Sequence, residues 1–85
     1  MSKKEKLLAR LLANPSPKDF PWHDLVTLMG CYGFNNSCRG GSHYVFEHTS
    51  GFRFTMSKTH PSGILKSYQV HAAKDALRHI GATYE

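Results

Sequence analysis

The sequence is short of carboxylates, cysteines and long apolar runs, and each shortage removes a class of function. Its six acidic residues, Glu5, Asp19, Asp24, Glu47, Asp75 and Glu85, are scattered along the chain. Two-metal phosphodiester chemistry needs carboxylates gathered around its ions, so it is not expected here. The two cysteines, Cys31 and Cys38, are too few for a disulfide framework. They read as reduced thiols, small half-buried side chains in a cytoplasmic protein. Six residues separate them where zinc modules usually have two to four, and His43 and His48, five apart on a strand, point to opposite faces. No metal or other cofactor is therefore expected. No stretch approaches the roughly 20 apolar residues of a membrane span. The leucines of "MSKKEKLLARLLANP" are interrupted by Arg10, with no small-residue cleavage site after them, which reads as a helix rather than a leader.

What is present fits one small domain spanning residues 1–85, since a chain this short buries little more than half of its unfolded surface. Eleven Lys and Arg give a formal charge of +5, with six neutral histidines in reserve. That excess suits a partner bearing phosphates.

Ser2 and Glu5 form a capping box, and Leu7, Leu8, Leu11 and Leu12 share a face, which predicts a helix from Lys3 to about Ala13. Asn14-Pro15-Ser16-Pro17 ends it, and Pro21 suits the first turn of a second helix carrying Trp22, Leu25, Val26, Leu28 and Met29 as far as Tyr32, with Gly33 as its cap. Phe34 to Arg39 reads as a short, mostly polar strand and Gly40-Gly41 as a turn. Two alternating strands follow, joined at Ser50-Gly51. With Phe52, Phe54 and Met56 facing the helices, Tyr44 and Phe46 go the same way, and His43, Glu47 and Arg53 share the other face. "KTHPSG" is a loop. Ile64, Leu65, Tyr68, Ala72, Ala76 or Ala73, Leu77 and Ile80 mark a final helix capped by Gly81. The class is α+β: a three-stranded antiparallel sheet with helices on one face, preceded by a helical extension in residues 1–20.

A Ser-His nucleophile pair is disfavoured, because Ser42 and His43 are neighbours on an extended chain. What remains is a lone histidine beside positive charge. RNA is the substrate for which that suffices, since its own 2′-hydroxyl is the nucleophile. His43 would then move the proton, while Arg39, Arg53 or Lys58 holds the phosphate and Gly40-Gly41 lets the backbone approach. The plainer reading stands beside it: a half-exposed surface histidine at a strand start. His23, His48, His71 and His79 fall within amphipathic patterns that packing or solvent exposure explains; His60 sits before Pro61 in the loop.

The segment from Trp22 to Gly81 resembles the HicA family of toxin–antitoxin systems. The most specific element is Gly41-Ser42-His43-Tyr44 preceded by Arg39, with Gly33-Phe34 before it and a second aromatic strand, a His-Pro loop and a final helix after it. The resemblance implies a fold like that of double-stranded-RNA-binding domains and an mRNA interferase that cleaves messenger RNA without a metal. It makes His43 the catalytic residue, with Gly41 and Ser42 in support, and implies a HicB antitoxin covering the site. A non-catalytic RNA-binding module of the same fold is the alternative. Residues 1–20 lie outside the resemblance, leaving packing on the domain and contact with a partner both open, and the first strand, "FNNSC", is more polar than usual.

Overall fold

The computed structural model describes residues 2–58 and 63–82. Six elements follow one another: α1 (Lys3–Leu11), α2 (Trp22–Cys31), β1 (Phe34–Gly40), β2 (His43–His48), β3 (Arg53–Ser57) and α3 (Ser67–His79). The fold is α+β, with one antiparallel sheet in the order β1-β2-β3. Of the "KTHPSG" loop, Thr59 to Ser62, including the His60-Pro61 pair, lie outside the described residues.

Ser2 caps α1 as expected: its Oγ accepts from the Glu5 amide at 3.2 Å, and the Glu5 carboxylate accepts from the Ser2 amide at 3.1 Å. The helix closes at Leu12, short of Ala13, because Pro15 disfavours helical backbone just before it. Leu7 and Leu11 enter the same core as Phe20, Leu25, Leu28 and Leu77. Of the two roles open to the extension, packing is thus observed. Arg10 adds an ion pair to Asp24 at 3.0 Å and lies over the Phe20 ring. The pair is partly exposed and contributes little; burying each leucine contributes about 1.5–3 kcal/mol.

The period of two in β2 and β3 sorts the sheet's faces. Tyr44 pairs with Met56 and Phe46 with Phe54, all toward the helices, where Phe46 and Phe54 stack at 5.0 Å and Trp22 of α2 meets both Tyr44 and Phe46. His43, Val45, Glu47, Arg53, Thr55 and Ser57 share the opposite face, most of it exposed to solvent. β1 is an edge strand despite its polarity, and beyond Phe34 all its residues are exposed.

Four expectations need correction. Pro21 is the N-cap of α2, not part of its first turn, since its backbone is extended. It forms a bridge with Ile64, while the Leu65 amide donates to the Phe20 carbonyl. Ile64 and Leu65 are therefore extended, and α3 begins only at Ser67. Tyr68 is 65 % exposed, because the buried stripe of α3 is Gln69, Val70, Ala73, Ala76 and Leu77. Cys31 and Cys38 are exposed rather than half-buried: one ends α2 and the other lies on the edge strand.

Candidate functional site

The sequence Cys38-Arg39-Gly40-Gly41-Ser42-His43 builds a bulged hairpin. Cys38 pairs with Tyr44, but Gly40 rather than Arg39 pairs with His43, so β1 carries one extra residue. Such bulges re-aim side chains at strand ends. Gly40 and Gly41 have φ of +125° and +55°, and a Cβ at either would meet open space. Glycine is required there by backbone conformation, not by crowding. Two bonds hold the turn: the Lys58 amide donates to the Ser42 carbonyl at 2.8 Å, and the Cys38 thiol to the Gly41 carbonyl at 3.4 Å.

His43 is exposed at the start of β2, directly opposite Ser57. Ser57 Oγ lies 3.5 Å from His43 Nδ1, the outer limit of hydrogen bonding, and Nε2 has no partner among the described residues. Ser57 is itself fixed from behind, since the buried Gln69 amide of α3 donates to its carbonyl at 2.7 Å.

Arg39 lines a cavity of about 530 Å³ with His43, Val45, Thr55, Ser57 and Tyr68. It also borders a second depression on the same face, with Arg53. Arg39 thus borders both depressions, the one with His43 and the one with Arg53. Among the described residues neither arginine has an ion pair or hydrogen bond, whereas Arg10 is held by Asp24 and Arg78 by Asp75. The open face carries two guanidinium groups, Arg39 and Arg53, and one carboxylate, Glu47, which is opposite Arg53 in the strand register.

The other site residues are placed differently. Lys58, one residue past Ser57, borders a separate cavity with Trp22, His23, Asn36 and Tyr44. The structure does not bring it to His43. Ser42 and Gly41 act through their backbone carbonyls in the turn. His48 packs on Phe34 and accepts from the Ser50 amide at Nδ1, and His79 stacks on Phe52. Both are structural, as their amphipathic patterns suggest. Among the described residues no three His, Cys, Asp or Glu side chains lie together as a metal site would need, and no helix is long and apolar enough to cross a membrane.

Sequence reasoning missed Ser57 and Tyr68. A hairpin centred on Ser50 gives Ser57 as the partner of His43, so the first was available from the register; nothing in the sequence signalled the exposure of Tyr68. No family model, curated protein or solved structure matches the chain.

Proposed function

We propose that this protein is a metal-independent endoribonuclease of the HicA type, a cytoplasmic toxin that cleaves messenger RNA and arrests translation. One observation carries the reading: His43 stands exposed on an open sheet face and shares a cavity with Arg39, Arg53 lies further along the same face, and neither arginine has a partner among the described residues. The α2-β1-β2-β3-α3 order, with the sheet covered on one face, is compatible with a double-stranded-RNA-binding-domain-like fold. The Gly41-Ser42-His43 resemblance supplies the rest.

In this mechanism His43 takes the proton of the 2′-hydroxyl as that oxygen attacks the adjacent phosphorus. The bond from phosphorus to the 5′-oxygen breaks, and the leaving oxygen is protonated by imidazolium or water. The products are a 2′,3′-cyclic phosphate and a 5′-hydroxyl. Arg39 neutralises charge building on the equatorial phosphate oxygens, with Arg53 on the neighbouring phosphate. Ser57 positions the imidazole. A HicB-like antitoxin is the proposed partner, neutralising the toxin by covering the His43 face.

The test is His43→Ala, assayed with a chelator present. A general base contributes about 10²- to 10⁴-fold, so cleavage falls by that factor while RNA binding and folding persist. Unchanged cleavage in the variant, or loss of wild-type cleavage in chelator that magnesium restores, refutes the mechanism. RNA binding by a wild-type protein that does not cleave supports the non-catalytic module instead.

A further inference from the structure

We propose that Tyr68 is a stacking platform for the nucleobase beside the scissile phosphate, so that the substrate must be single-stranded where it is cut. The inference rests on the ribonuclease reading and adds the form of RNA that the site accepts.

Tyr68 is 65 % exposed, and its ring and hydroxyl have no partner among the described residues. A lone exposed aromatic is ordinary on a protein surface. This one, however, lines the same cavity as His43 and Arg39. Its placement is also fixed. Gln69, the next residue, is buried and bonded through its amide to the Ser57 carbonyl, while the Ser57 side chain faces His43. The α3 register therefore sets where Tyr68 stands relative to the imidazole.

The cavity has a cationic wall at Arg39, a proton-transfer group at His43 and an aromatic wall at Tyr68, with small Ala72 one turn further along α3. Phosphate, ribose hydroxyl and base face are the complementary groups of one nucleotide. At about 530 Å³ the cavity falls in the size range of small-ligand sites. Stacking requires a free base face, and within a duplex both faces are covered by neighbouring bases. A duplex bound through its backbone would leave Tyr68 unused.

The test uses the full chain with His43→Ala, to prevent cleavage, and an RNA oligonucleotide containing 2-aminopurine, free or annealed to its complement. Binding of the single strand quenches 2-aminopurine fluorescence. Adding Tyr68→Ala abolishes the quench and weakens affinity about 5- to 150-fold, whereas Tyr68→Trp retains both. With His43 intact, Tyr68→Ala raises the KM for single-strand cleavage by a similar factor. Equal affinity and quench with Ala at position 68, preference for the annealed strand, or no RNA binding overturns the proposal. Should Tyr68→Ala be silent while His43→Ala abolishes cleavage, stacking fails and the ribonuclease reading stands. A Tyr68-dependent quench alongside His43-independent cleavage supports stacking and rejects the histidine mechanism.

Discussion

Ser57 and His43 meet because β2 and β3 pair in a register centred on Ser50. At 3.5 Å their contact is a loose hydrogen bond in the free protein, of the kind that tightens when substrate is bound. Ser57 is a positioning residue, and its removal should act on turnover rather than on binding. Ser57→Ala is expected to lower kcat about 2- to 13-fold, the worth of one hydrogen bond, with KM unchanged and Ser57→Thr near wild type. Steady-state kinetics on a single-stranded RNA checks this, and a rise in KM alone would contradict it. Alternation in the sequence was enough to place His43 and Arg53 on the open face. The same rule argues against Lys58, whose position beside Ser57 gives it the opposite parity in the strand; closeness along the chain is a poor guide when the side-chain period is two.

Among the elements, α1 shows how an extension becomes part of a core. Its exposed face carries Lys3, Lys6 and Arg10, which alone suggests a solvated appendage, but Leu7 and Leu11 are buried among the residues that also hold α2 and α3. Leu11→Ala should cost about 2–5 kcal/mol, the range for leucine truncated in a packed core. Urea unfolding would report it, and a loss under 1 kcal/mol would show that α1 is only loosely docked. Cleavage well below the unfolding transition should be unchanged, because α1 contributes no residue to the His43 cavity. In α3 the sequence misled for a physical reason. A single buried glutamine, Gln69, interrupts the apolar stripe, and the neighbouring pattern through Leu65, Tyr68 and Ala72 looks equally helical. Tertiary contacts decided between them: Ile64 pairs with Pro21 and Leu65 with Phe20, so the segment stays extended and the helix starts later. Periodicity alone cannot see backbone bonds made 41 and 45 positions away in sequence, from the Trp22 amide to the Gly63 carbonyl and from the Leu65 amide to the Phe20 carbonyl.

At the scale of the whole molecule, the formal charge of +5 invites a picture of diffuse attraction to RNA, but the cations are not equivalent. Arg10 and Arg78 are paired with carboxylates, Lys74 donates to Ser16, and Lys58 faces a different cavity from His43. Lys3, Lys4 and Lys6 lie on α1, no residue of which lines either depression of the open sheet face. Among the described residues, Arg39 and Arg53 are the unpartnered cations that line the depressions of the open sheet face, Arg39 in the one that holds His43. Localised and diffuse binding then differ in their salt dependence. Two phosphates neutralised on a single strand give a slope of log affinity against log salt of about −1.4, and five give about −3.5. The localised site predicts the shallower slope for a short oligonucleotide bound by the His43→Ala chain, and Arg39→Ala should reduce it further by about 0.7. A slope of about −3 that Arg39→Ala leaves unchanged would mean that the RNA is held mainly by cations elsewhere. The open face would then lose its claim to be the binding surface, even if His43 proved essential.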